Sequence, residues 1–153
     1  MTGEEKLVEF VEAIDSWVNS KYVHSSEPRK EVPEALNFRR QDLSSLSNSD
    51  CAFYAYELYA YAEYIETLRT KENAILEWAD SSIWYIISTV MQNYGTQYTK
   101  WQEKYYSAIK ENPLASQILK VKNHADARVK MLSGKADRIQ SMAQILNNLS
   151  KRR

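Results

Sequence analysis

Apolar residues recur at three- and four-residue intervals from the start of the chain. Leu7, Phe10, Val11, Ile14, Trp17 and Val18 form one stripe, with Glu4, Glu5, Glu9, Glu12 and Asp15 on the other face. This spacing predicts an amphipathic helix over residues 1–20 that docks its stripe on a core. Thr2 and Glu5 have capping-box spacing at its start, and the acidic first turn suits the positive end of the helix dipole. Over residues 21–48 the periodicity lapses. Pro28 and Pro33, with Ser25, Ser26, Ser44, Ser45 and Ser47, mark a long linker with a short helical turn around Pro33–Phe38. Arg39 and Arg40 in this linker fit either a phosphate contact or plain solvation.

Ser47 and Asp50 then give a helix start signal, and residues 49–92 contain neither Gly nor Pro. A helix of that length reaches about 60 Å, which calls for a coiled-coil partner or a bundle. Leu58, Tyr61, Ile65, Leu68, Ile75, Ala79 and Ile86 fall near a 3.5-residue seam, interrupted at Glu72 and Ser82. Before that seam settles, Phe53, Tyr54, Tyr56, Tyr59, Tyr61 and Tyr64 crowd six aromatics into twelve residues. A helix aromatic on nearly all sides needs several neighbours, so these six are expected to form an oligomer interface.

Asn93, Tyr94 and Gly95 supply a stop and turn. A short helix follows over residues 96–111, with Tyr98, Trp101, Tyr105 and Ile109 on one face and Lys100 and Lys104 beside it. Asn112 with Pro113 is an N-cap followed by proline at the first helical position. The final helix, residues 113–150, repeats Ile118, Ala125, Leu132, Ile139 and Leu146 every seven residues. Gly134 sits in its interior at a cost of about 1 kcal/mol relative to Ala, which suggests a close backbone approach there. The pattern as a whole predicts an all-α fold. Its frame is a long antiparallel helical hairpin with an additional N-terminal helix and a short connecting helix, oligomeric, in a single elongated domain over residues 1–153.

Composition agrees: 3 Gly and 3 Pro in 153 residues are too few for a turn-rich β fold. The single Cys51 cannot form an intramolecular disulfide and reads as a small core residue. No apolar run approaches bilayer length and no basic leader opens the chain, so a cytoplasmic protein without a membrane partner is expected. The formal net charge of zero conceals an asymmetry. Residues 1–80 carry 8 Lys/Arg against 16 Asp/Glu (net −8), and residues 81–153 carry 12 against 4 (net +8). Either the halves face one another, or the basic half meets a polyanion.

Catalytic chemistry has no foothold. No GxGxxG, GxxxxGK, HExxH or GxSxG pattern occurs, and His24 and His124 lack ligand spacing. The chain is expected to be no enzyme, with no cofactor and no metal. Binding remains. Lysines interleaved with aromatics from Tyr98 to Lys110 have the composition of a single-strand track, in which bases stack on rings and ammonium groups meet phosphates. Lys100, Trp101, Lys104, Tyr105 and Lys110, extended by Lys120, Lys122 and Arg128 on the basic last helix, are the candidate DNA-binding residues. The same aromatics, at helical spacing, also fit a core with lysines snorkelling at its rim.

Over roughly residues 53–150 the layout resembles the UvsY-like recombination mediators of tailed phages. The resemblance lies in a long helix ending at Tyr94-Gly95, a polar loop with Tyr98 and Lys100, and a helix with Lys104, Tyr105 and Tyr106. A break at Glu111-Asn112-Pro113 and a heptad helix with a basic end complete it. One departure is that SSIWYIISTVMQNYG, where that family carries basic residues, has no Lys or Arg. The resemblance implies an oligomer that binds single-stranded DNA and assists recombinase loading. Its partners would be copies of itself, a recombinase and a single-strand-binding protein, in the host cytoplasm for a phage-encoded chain. The alternative is a helical protein–protein interaction module, such as an assembly adaptor, a chaperone or an inhibitor of a host protein, without nucleic-acid binding.

Overall fold

The structure, a computed structural model, describes residues 3–20 and 31–152. Thr2, His24, Ser25, Ser26 and Pro28 therefore lie outside the described residues, as does the side chain of Val18. Every regular element described is helical. In order they are α1 (Gly3–Ser20), α2 (Glu31–Leu36), α3 (Arg40–Ser45), α4 (Asn48–Ile87), a 3₁₀ turn at Met91–Asn93, α5 (Trp101–Glu111) and α6 (Pro113–Arg152). The chain divides into two compact units. One comprises residues 1–20 and 71–129, the other residues 21–70 and 130–153. Helices α4 and α6 each contribute to both.

In the first unit the second half of α4 runs antiparallel to the first half of α6. Asp80 pairs with Lys122 and Glu72 with Arg128, so position falls along one helix as it rises along the other. Ala79, Ile83 and Ile87 of α4 are buried with Ala115 and Ile118 of α6 and with Tyr105, Ala108 and Ile109 of α5. Helix α1 packs against this unit through part of its stripe, while Trp17 of that stripe is 58% exposed. Phe10 stacks on Trp78 with ring centroids 5.8 Å apart, and Asp15 pairs with Lys71.

The second unit joins the first half of α4 to the second half of α6. Its buried α4 positions are Cys51, Ala55, Leu58, Ala62 and Ile65, a strict alternation of four and three. They meet Ala136, Ile139, Ala143 and Leu146 of α6. The small Cys51, Ala55 and Ala62 favour a close approach of the two helix backbones, while Leu58 and Ile65 fill the layers beside them. Cys51 is a fully buried core residue.

The caps follow local chemistry. The Ser47 hydroxyl accepts from the Asp50 amide at 3.0 Å, and the Asn112 side-chain oxygen accepts from the Ala115 amide at 3.0 Å. Both are N-caps at the positions the sequence marks. Helix α4 stops at Ile87 rather than near 92. Ser88, Thr89 and Val90 are poor helix formers, and the Val90 amide bonds three residues back to Ile87 at 3.0 Å, tightening the backbone out of α geometry. The described part of the linker, residues 31–48, is more regular than its composition suggests. Residues 31–45 hold two short helices, and α3 opens with the Arg39 amide donating to Asp42 at 2.8 Å.

Candidate nucleic-acid interface

Gly95 turns the chain at φ +86°, a left-handed conformation that glycine adopts without strain. The loop beyond it is held by threonines. Thr96 N–H donates to the Thr99 hydroxyl at 2.8 Å, and Tyr98 N–H to the Thr96 hydroxyl at 3.2 Å. This small frame presents Tyr98 to solvent, 87% exposed. Helix α5 then begins, with the Lys100 carbonyl accepting from Glu103 and Lys104 amides at 3.1 and 3.3 Å.

The aromatic residues of α5 separate into two kinds. Tyr105, 4% exposed, sits in the core of the first unit, against Trp84 at 5.3 Å and under Trp101, whose ring is stacked on it at 5.2 Å and 15°. Its ring is therefore committed to the protein rather than open to a base. Trp101 remains half-exposed at the rim of this stack, and Tyr106 is exposed one position off the buried stripe. Sequence spacing pointed to Trp101 and Tyr105, whereas Tyr98 and Tyr106 are the rings most open to solvent within residues 98–110. The signal for Tyr106 lies in its register, adjacent to the 101–105–108–109 face but not on it.

The basic candidates also divide. Lys122 donates to Asp80 at 2.8 Å and approaches the Tyr105 hydroxyl at 3.4 Å, with its ammonium 5.7 Å from the Tyr105 ring centre. Partial burial pulls its pKa down, but the hydrogen bonds to Asp80 and Tyr105 outweigh that and leave it raised. Arg128 donates to Glu72 at 2.9 Å. Both cations are thus occupied in joining α4 to α6. No salt bridge among the described residues engages Lys100, Lys104, Lys110 or Lys120. At about 100° per residue, Lys100 and Lys104 lie on one flank of α5, and Tyr106 and Lys110 on the other. Trp101 stands between the flanks, and Glu103 and Glu111 dilute the positive charge.

The six candidate interface aromatics are split in the same way. Tyr54 packs edge-on against Phe38 at 4.9 Å and donates a hydrogen bond to the Glu34 carboxylate; partial burial and that acceptor raise its pKa. Tyr61 stacks with Tyr64 at 6.3 Å and lies under the Lys135 ammonium at 5.6 Å. Phe53, Tyr56 and Tyr59 are exposed. The α2–α3 segment and α6 thus cover half of a cluster that sequence crowding assigned wholly to other subunits.

Gly134 departs from expectation too. A Cβ there would meet only the Arg138 guanidinium at 3.3 Å, with no backbone of another helix nearby. Among the described residues no group of three His, Cys, Asp or Glu side chains is placed to hold a metal ion, and no helix is long and apolar enough to cross a membrane. Comparison with protein-family models, with curated proteins and with solved structures gives no match to this chain.

Proposed function

We propose that this chain is a non-catalytic accessory of recombination that binds single-stranded DNA as an oligomer and helps a recombinase onto the strand. The observation that supports it most is at the start of α5. There the exposed rings of Tyr98, Trp101 and Tyr106 stand among Lys100, Lys104 and Lys110, which carry no acidic partner among the described residues. A base stacked beyond Trp101 would extend the Trp101–Tyr105 pair, and ammonium groups on both flanks of α5 could meet successive phosphates. Lys122 and Arg128 take a supporting role in this reading, because release from Asp80 and Glu72 would cost two interhelical ion pairs.

Titration of labelled oligo(dT) at several salt concentrations tests the proposal. Binding is expected to weaken steeply as salt rises. Lys100→Ala with Lys104→Ala should flatten the log–log salt slope by about 1.4, at about 0.7 per single-strand phosphate contact. No binding at low salt would end this reading. It would favour the second one, a helical interaction module, which the exposed Phe53, Tyr56 and Tyr59 face supports on its own.

A further inference from the structure

Within the second unit, two helix faces have no intramolecular partner among the described residues that accounts for their composition. The first is the side of α4 opposite its buried seam, where Phe53, Tyr56 and Tyr59 are exposed, Tyr56 by 66%. Glu63 is exposed on the same side, two turns beyond Tyr56. The second is the side of α6 opposite its own seam. There Met131, Arg138 and Ile145 recur at seven-residue intervals, and Met131 and Ile145 are 68% and 54% exposed. Gly134 and Ser141 lie between them on that face. A sustained seven-residue repeat with apolar ends is the pattern of a helix seam. Yet α6 already spends a different repeat, through Ile139 and Leu146, on packing against α4.

We infer that these two faces are partners: the exposed aromatic face of α4 in one copy of the chain docks on the Met131–Arg138–Ile145 face of α6 in the next. Three complementarities carry this. Charge is the first, an exposed carboxylate on α4 against an exposed guanidinium on α6. Register is the second. Glu63 lies seven residues from Tyr56, and Arg138 lies seven from both Met131 and Ile145. Pairing Glu63 with Arg138 therefore places the Tyr56 ring opposite an apolar residue whichever way the helices run. Size is the third: with no Cβ at Gly134 the Arg138 guanidinium lies down along α6, and Ser141 is small, so neither blocks rings that project from α4. A cation over a phenol ring is favourable in its own right, as the Lys135 ammonium over Tyr61 within the subunit illustrates.

Because α4 and α6 pack through their seams, the two outward faces point to opposite sides of this unit. One copy cannot satisfy both faces of a single neighbour, so the contact is head-to-tail and generates a ring or an open chain. The inference rests on the self-association in the proposed function and is independent of strand binding.

Tyr56→Glu and Ile145→Glu each disable one face at an exposed position, and unchanged helical circular dichroism would establish that both fold. By sedimentation, wild-type protein is expected to associate and each variant alone to run at the monomer mass. An equimolar mixture should recover one intact contact, giving a species of twice the monomer mass and nothing larger. If Ile145→Glu assembles like the wild type, or the mixture stays monomeric, the pairing is wrong while self-association stands. A monomeric wild-type protein would overturn both.

Discussion

At the scale of single residues, the backbone turn and one phenol are the sensitive points. Gly95 holds φ +86°, and an added Cβ would run into the Thr99 side chain. Gly95→Ala combines left-handed strain with loss of the threonine frame, and is expected to lower stability by about 1–3 kcal/mol in urea unfolding. Tyr54 makes stability pH-dependent at the alkaline end. Its pKa is raised from the ordinary 10.0 by partial burial and by the Glu34 carboxylate. The folded state therefore favours the neutral phenol. The contribution is fully present below the unfolded pKa near 10 and is lost as pH climbs through the higher folded value. Tyr54→Phe should remove this part of the alkaline decline, visible as a flatter urea midpoint between neutral pH and about pH 11, whereas an unchanged decline would assign it to other groups.

Among the elements, the α4–α6 seam in the second unit is built on small residues, so its tolerance is asymmetric. Leu58→Ala should cost about 2–5 kcal/mol through a cavity. Ala62→Leu, four residues on and nominally more hydrophobic, should cost about 1–3 kcal/mol by forcing the backbones apart. Ala60→Leu, on the exposed side, should stay within about 0.5 kcal/mol. Equilibrium unfolding of the three variants checks the ordering. The same seam explains what could be read in advance. Ser47, Gly95 and Asn112-Pro113 announce element ends through their own backbone and hydrogen-bonding chemistry, which needs no distant partner. Ile118, Ala125, Leu132, Ile139 and Leu146 announce the packed face of α6 by period alone; four are buried and Leu132 is half-buried. Cys51, Ala55 and Ala62 are harder to see, because their small side chains are overshadowed by the neighbouring tyrosines. The fates of Tyr105, Lys122 and Arg128 depend on partners such as Trp84, Asp80 and Glu72, tens of residues away, and no local pattern encodes those contacts. Helix α3 and the early end of α4 at Ile87 rest on local hydrogen bonds around Arg39–Asp42 and Ile87–Val90 that no hydrophobic period signals.

For the molecule as a whole, the charge asymmetry of the sequence largely closes on folding. By sequence, the unit of residues 1–20 and 71–129 carries 8 basic and 11 acidic residues, and the other unit 12 and 9. A difference of −8 against +8 between halves thus becomes −3 against +3 between units, because acidic α4 is laid along basic α6. The interhelical pairs at Asp80–Lys122 and Glu72–Arg128 are the visible part of that neutralisation. Within the first unit, Lys100, Lys104, Lys110 and Lys120 keep local positive charge with no acidic partner among the described residues, so the start of α5 and its approach to α6 carry the proposed strand contact even though that unit is net −3. The proposed assembly and strand-facing surfaces then fall in different units, so variants can be designed against one while sparing the other.

The discontinuous make-up of the units also matters while the chain is being made. All the residues of the first unit have left the ribosome once Val129 emerges. The second unit is in a different position: Cys51, Ala55, Leu58, Ala62 and Ile65 are synthesised early but meet Ala136, Ile139, Ala143 and Leu146 only after residues 130–152 follow. For nearly half of translation an apolar seam, flanked by exposed rings, waits without its cover. On a crowded polysome such a seam is exposed to its counterparts on neighbouring nascent chains, which places the risk of mispairing at birth rather than in the finished protein.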